Sequence, residues 1–182
     1  MTPSTLAAPH AANDRLAITA GAGWLQRLAF TDGGIPALVL RLVLAVVIFP
    51  HGAQKLLGWF GGPGFGGTMS YLTETSGVPA FIAFLVIVIE FFGAIGLAIG
   101  LLGRVAAAGV AAVMIGAVLT SHLQFGFFMN WAGNQPGEGF EFHLLAMGIA
   151  LAVMIKGSGA LSIDGIIAGR KPDASESHKG LV

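Results

Sequence analysis

Ionisable side chains interrupt segments of this sequence that are otherwise apolar enough to enter a lipid bilayer. The stretch FPHGAQKLLGWF, residues 49–60, places His51 and Lys55 one helical turn apart. Glu90 stands in the middle of a second apolar segment. A charge inside a membrane span is costly, so it usually has a partner or a function. Histidine, lysine and glutamate are also side chains that bind and transfer protons in catalysis.

Six side chains from four apolar segments make up a candidate polar cluster: Arg41, His51, Lys55, Glu90, His122 and His143. On an α-helix, Arg41 and Lys55 lie within about 40° of each other, and His51 lies about 80° from Arg41. One face of the first segment therefore carries all three of its ionisable groups. We expect other helices to bring polar groups to the level of His51 and Lys55. The alternative for Lys55 is that it extends to the lipid headgroups.

Glu90 shares a face of the second segment with the glycines of residues 93–100. Small residues permit close helix packing in membranes, so this face is expected to point into the bundle. Glu90 lies between Arg41 and His51 in depth. We therefore expect a buried Glu90 that is either paired with Arg41 or protonated. A pair of this kind can also be a purely structural latch.

The histidines near the ends of the third and fourth segments suggest two further hypotheses. Glu141 and His143 lie about 200° apart on a helix, so only one of them is expected to face inward. Histidines at one level can bind a metal ion. Here they come from separate helices without HxxxH or ExxH spacing, and no metal site is predicted.

The composition indicates lipid as the solvent of this chain. Of its 182 residues, 55% are hydrophobic and 10% are charged, against about 25% charged in an average soluble domain. Nine basic and nine acidic residues balance, which argues against a nucleic-acid partner. The sequence contains no cysteine, so disulfides, thiolate catalysis and cysteine-ligated iron–sulfur clusters are excluded within this chain.

Four segments approach the roughly 20 apolar residues that a membrane-spanning helix needs. They cover residues 37–57, 79–102, 105–125 and 140–155, and the last could gain length from residues 156–162. The second and third are separated by so few residues that they must form a tight antiparallel pair. The predicted fold is all-α, an antiparallel bundle of four transmembrane helices.

The positions of lysine and arginine predict the orientation, because cytoplasmic loops are enriched in both. The connections 58–79 and 126–139 contain neither, which places them outside and both termini in the cytoplasm. The expected domains are an N-terminal arm over 1–34, either an interfacial amphipathic helix or a loose segment, a membrane domain over 35–165, and a charged, disordered tail over 166–182. Basic residues lie before the first span, in the short turn and in the tail: Arg15, Arg27, Arg104, Arg170, Lys171 and Lys179.

Residues 41–164 resemble the DoxX family of small bacterial membrane proteins. The resemblance rests on Arg41, on HGAQKLLGWFGG at 51–62, on EFFGAIGLAIGLLGR at 90–104, on His122 and on GSGALSID at 157–164. It implies a four-helix protein of the bacterial inner membrane that is associated with redox chemistry. Some members are subunits of quinone-coupled oxidoreductases, and others accompany soluble detoxifying enzymes in stress responses.

The leading functional hypothesis is a membrane component of a redox or stress-response system that binds a quinone in its outer half. A quinone needs an apolar slot, hydrogen-bond donors and a proton acceptor. His51, Lys55 and His122 could donate, and Glu90 could accept. The chain has no evident redox centre, so it is at most a subunit of a quinone-coupled oxidoreductase, and electrons would come from a partner. The alternatives are a non-catalytic assembly or scaffolding subunit, and a small-solute transporter that acts as a homo-oligomer.

Overall fold

The computed structural model describes residues 34–169, and this part of the chain is helical without a strand. The predicted arm up to residue 33 and the predicted tail from residue 170 onward lie outside the described residues. The helices are α1 (Ile35–Leu57), α2 (Gly64–Ser70), α3 (Ala80–Ile99), α4 (Gly103–Phe125), α5 (Glu141–Lys156) and α6 (Ile163–Ile167). The helices α3 and α4 each contain a π-helical turn, at Ile89–Gly93 and at Val118–His122.

Three of these helices are long and apolar enough to cross a membrane: α1 and α4 with 23 residues each, and α3 with 20. The fourth expected span is shorter. Helix α5 has 16 residues, or about 24 Å at 1.5 Å per residue, and the hydrocarbon core is about 30 Å thick. It does not gain length from residues 156–162, because the chain leaves the helix at Gly157, where φ is 83°. Helix α5 nevertheless packs along α4 and α1.

Helix α1 lies at the centre of the packing and contacts α2, α3 and α5. Its buried stripe includes Leu44 and Ile48, which join Leu97 of α3, Val110 of α4 and Val153 of α5 in one apolar core. The opposite side of α1 is apolar and exposed, as lipid contact requires. The periodicity of buried positions in α1 and α3 follows the helical repeat, which explains why both spans could be placed from sequence.

Gly52 allows α1 and α3 to approach each other closely. A Cβ atom at this position would lie 2.5 Å from the backbone carbon of Glu90 and 2.5 Å from the nitrogen of Phe91. Any side chain at Gly52 would therefore force the two helix backbones apart. The close approach occurs at the π-helical turn of α3, and it brings Lys55, three residues further along α1, to the level of Glu90.

The connection 58–79 contains more structure than its glycine content indicates. Helix α2 folds back against α1, and the π-helical turn Tyr71–Thr75 that follows it contacts the first part of α3. The Thr68 hydroxyl donates a hydrogen bond of 3.1 Å to the carbonyl oxygen of Lys55. The sequence predicts no helix here, because the glycines in this segment disfavour helix formation. Packing on α1 compensates for that preference.

The orientation in the membrane is testable because the chain contains no cysteine. Thr75 and Asn134 are exposed, and the lysine and arginine distribution predicts that their connections lie outside. We expect Thr75→Cys and Asn134→Cys to react with a membrane-impermeant maleimide in intact spheroplasts. Ser175→Cys should react only after the membrane is permeabilised. Labelling of Ser175→Cys alone in intact spheroplasts would reverse the orientation.

The close approach at Gly52 predicts a position-specific loss of stability. Gly52→Ala should destabilise the protein by about 1–3 kcal/mol, because an added methyl group overpacks a filled contact. Gly148→Ala is the matched control, since a Cβ atom at Gly148 meets nothing within 4 Å. Thermal unfolding in detergent measures both. Equal melting temperatures for Gly52→Ala and the wild type would contradict the packing described here.

Candidate functional site

The six candidate side chains form two separate groups rather than one cluster. Arg41 lies at one end of the bundle, beside the turn between α3 and α4. The other five lie in the opposite half, where α1 approaches the π-helical turn of α3 and where α4 meets α5. The two groups differ in their hydrogen-bond partners, and this difference separates a structural role from a chemical one.

Arg41 serves as a cap for the end of α3. It is 1% exposed, and its guanidinium donates to backbone carbonyls at 2.5 to 3.3 Å. The last carbonyls of a helix have no partner within the helix, and Arg41 bonds two of those in α3. The remaining acceptors lie in the segment after α5. The five carbonyl oxygens are those of Leu97, Ala98, Ser158, Ala160 and Leu161.

Asp164 caps the start of α4, as Arg41 caps the end of α3. Its carboxylate accepts hydrogen bonds from the backbone nitrogens of Leu102 at 2.8 Å and Gly103 at 2.9 Å. It also accepts one from the Ser158 hydroxyl at 2.6 Å. A carboxylate at a helix N-terminus is favoured by the unpaired N–H groups there. Asp164 was not among the sequence candidates, although GSGALSID is the segment that carries it.

The predicted pairing of Glu90 with Arg41 is wrong. All the acceptors of Arg41 that the structure shows are backbone carbonyls, and Glu90 bonds to Lys55 instead. The carbonyl of Leu97 lies seven residues beyond Glu90, or about 10 Å along the helix. The last carbonyls of α3 are thus closer in depth to Arg41, and they accept its hydrogen bonds. A depth estimate from sequence alone does not reveal such acceptors.

The Lys55 ammonium and the Glu90 carboxylate form an ion pair between α1 and α3. The distance from Nζ to Oε2 is 2.5 Å, and the two side chains are 27% and 5% exposed. Glu90 belongs to the π-helical turn Ile89–Gly93, and such turns often occur at functional sites. The ammonium group has three N–H donors, and this contact occupies one. Lys55 therefore retains capacity to bind a second acceptor.

His51 lies beside this pair, on the surface of the bundle. Its side chain is exposed, and it is within electrostatic range of both Lys55 and Glu90. The His51 ring lies 6.1 Å from the ring of Phe142 in α5. Phe49 of α1 and Phe91, the residue after Glu90, contact each other with ring centroids 5.5 Å apart. The ion pair is thus bordered by aromatic rings and by an imidazole that a molecule in the lipid can reach.

His122 and His143 contact each other where α4 meets α5. Their ring centroids are 4.1 Å apart and their planes are tilted by 44°. His122 Nδ1 lies 2.8 Å from the carbonyl oxygen of Glu138. His143 is 6% exposed, and its buried Nδ1 has no hydrogen-bond partner among residues 34–169. Buried polar atoms of this kind are rare, and each calls for an explanation.

Glu141 and His143 lie about 200° apart on α5, so only one of them is expected to face inward. The structure shows that this residue is His143. The Glu141 carboxylate turns to the connection before α5. It accepts hydrogen bonds from the backbone nitrogen of Met129 at 3.0 Å and from the indole of Trp131 at 3.3 Å. The loop is thereby attached to the first turn of α5, which helps to position His143.

The five side chains of this half form a continuous electrostatic group. His143 lies within range of both His122 and His51, and His51 within range of the ion pair. Within residues 34–169, histidine, aspartate and glutamate side chains do not gather in threes as a metal site requires. The arrangement is suited to hydrogen-bond recognition and to the transfer of protons between neighbouring groups.

Comparisons with known proteins relate this architecture to characterised sequences. The sequence model of the family described as DoxX matches residues 37–123. The chain is 30% identical over 143 residues to a Bacillus subtilis protein named "Putative oxidoreductase CatD", covering 79% of this chain and 95% of that protein. It is 32% identical over 133 residues to "Inner membrane protein YqjF" of Escherichia coli, covering 73% of this chain and 92% of the relative. No solved structure matches the chain.

The ion pair predicts a characteristic pattern in a double-mutant cycle. Lys55→Met alone and Glu90→Gln alone should each destabilise the protein, because removing one partner of a buried pair leaves the other without compensation, at about 3–5 kcal/mol. The double variant Lys55→Met/Glu90→Gln should recover a large part of that loss. Thermal unfolding of the four proteins in one detergent measures the coupling. Strictly additive effects would contradict the pairing.

Proposed function

This chain belongs to the DoxX family, and we propose that it is an inner-membrane component of a redox system that binds a quinone-type carrier beside the Lys55–Glu90 pair. The observation that carries the proposal is this ion pair, held at a π-helical turn within an apolar bundle. An ion pair with only a structural role can be fully buried. Here Lys55 is 27% exposed, and the exposed His51 lies beside it.

The surroundings of the ion pair have the features that a quinone requires. A lipid-soluble ring reaches the site from the hydrocarbon, where His51 is exposed and the neighbouring aromatic rings are half-buried. Lys55 supplies N–H groups for a quinone carbonyl oxygen, and Glu90 is a carboxylate within one hydrogen bond of the same ammonium. Such a combination of an apolar surface with a few polar groups is typical of small-molecule sites.

Electrons must come from a partner in this proposal. The sequence holds no cysteine and no evident redox centre, so the chain contributes the quinone site and a partner oxidoreductase contributes the electron donor. The name of the Bacillus subtilis relative, a putative oxidoreductase, supports a redox setting. The lysine and arginine distribution places the site in the outer half of the membrane, with both termini in the cytoplasm and α5 as a fourth, short span.

A scaffolding role is the second candidate function, and the Arg41 group favours it. Arg41 and Asp164 show that this fold uses buried charges to cap helices. If Lys55 and Glu90 served only the same purpose, the protein would hold a partner in place without binding a quinone. A transporter, the third hypothesis of the sequence analysis, also uses a carboxylate near the midplane, but four helices would suffice only in an oligomer.

A quinone-retention experiment tests the proposal. The protein is purified in mild detergent, reconstituted with a decyl-substituted benzoquinone, washed and extracted, and the bound quinone is measured per protein. We expect His51→Ala to lose most of the bound quinone with a nearly unchanged melting temperature, because the His51 side chain is exposed on the surface of the bundle. Val46→Ala, an exposed position of the same helix, is the matched control and should retain the quinone.

Two results contradict the quinone proposal. If His51→Ala folds and retains as much quinone as the wild type, the site does not include His51. If the wild type itself retains none, while an oxidoreductase co-purifies with it, the scaffolding function is the correct one.

A further inference from the structure

The contact between His122 and His143 bears on whether the oxidised or the reduced form of a carrier binds. The reason is that the structure fixes the tautomer of the His122 ring. His122 Nδ1 lies 2.8 Å from the backbone carbonyl oxygen of Glu138. A carbonyl oxygen accepts hydrogen bonds and cannot donate them, so Nδ1 must carry the proton. In the neutral imidazole, Nε2 is then an acceptor, and it lies on the side of the ring that points away from Glu138.

His143 presents a second nitrogen that needs a partner. Its Nδ1 is buried, and the side chain is 6% exposed. A buried N–H without an acceptor is rarer in proteins than an acceptor without a donor. The neutral ring therefore favours the tautomer with the proton on Nε2, which leaves Nδ1 as an acceptor. Two rings in contact thus each offer an acceptor nitrogen, and neither nitrogen has a donor among the described residues.

We infer that the His122–His143 pair is a subsite for the hydroxyl group of a phenol-type ring, so that the site prefers the reduced, hydroquinone form of its carrier over the quinone. The inference rests on the proposed function and specifies the ligand of the same half of the bundle. A hydroxyl of a hydroquinone brings one O–H donor, which one of the two nitrogens accepts, whereas a quinone brings only carbonyl acceptors, which an acceptor nitrogen does not bind. This differs from the sequence hypothesis that His122 donates to a quinone.

The test compares the two oxidation states of one ring system. The purified wild-type protein in nanodiscs is titrated under anaerobic conditions with a decyl-substituted benzoquinone and, separately, with its hydroquinone. Quenching of tryptophan fluorescence reports binding. We expect the hydroquinone to bind about tenfold more tightly, the ratio that one additional neutral hydrogen bond supplies.

Two substitutions separate hydrogen bonding from structure. In His122→Asn, the amide NH₂ takes the position of Nδ1 and keeps the bond to Glu138, while the acceptor Nε2 is lost. In His143→Phe, the ring shape remains and the unpartnered nitrogen is removed. Because either nitrogen can accept the O–H, the double variant His122→Asn/His143→Phe should bind the two forms with nearly equal affinity, and His143→Phe alone should melt at a temperature equal to or higher than the wild type. Gln124→Ala, at an exposed position of α4, is the control and should keep the tenfold preference.

The outcomes distinguish this inference from the proposed function. If the wild type binds both forms equally, or binds the quinone more tightly, the subsite is wrong and the quinone-type function stands. If the wild type binds neither form, both fail. If the double variant His122→Asn/His143→Phe keeps the hydroquinone preference, the preference arises elsewhere and the subsite is wrong.

Discussion

The structure depends on the close approach of α1 and α3 at Gly52. An ion pair in an apolar environment is stable only if its two charges are near enough to repay their desolvation. With any larger residue at this position, the backbone of Glu90 would be displaced from α1, and the 2.5 Å contact with Lys55 would lengthen. The π-helical turn of α3 adds one residue to the helical turn that carries Glu90, and this irregularity directs its carboxylate toward Lys55.

The same fold uses buried charges in two different ways. At one end, Arg41 and Asp164 bond the unpaired backbone groups at the end of α3 and the start of α4. The N–H donors of Arg41 and both carboxylate oxygens of Asp164 have partners within residues 34–169, so these two side chains fix the helices. In the other half, Lys55 keeps free donors and His143 keeps a buried nitrogen without a partner. Unused hydrogen-bonding capacity distinguishes a ligand-binding site from charged groups that only hold the helices together.

Periodicity and apolar length made the helices predictable, since the buried stripe of α1 recurs with the helical repeat and places α1, α3 and α4 within a few residues. The burial of Glu90 could also be predicted, because a midspan carboxylate must avoid lipid. The partner of Glu90 could not be predicted. The choice between Arg41 and Lys55 depends on backbone carbonyls at the end of α3, on a π-helical turn and on the contact at Gly52, none of which leaves a periodic signal. Helix α2 was not predicted from the sequence, because its packing on α1 outweighs the low helix propensity of its glycines.

The central claim is that a quinone-type ring binds next to the Lys55–Glu90 pair. Photolabelling with an azido-substituted benzoquinone in native membranes, followed by peptide mapping, tests it most directly. The account predicts adducts within residues 49–60 and 140–150 that disappear when excess unlabelled benzoquinone is present. Adducts confined to the Arg41 end of the bundle, or adducts that excess benzoquinone does not displace, would contradict it.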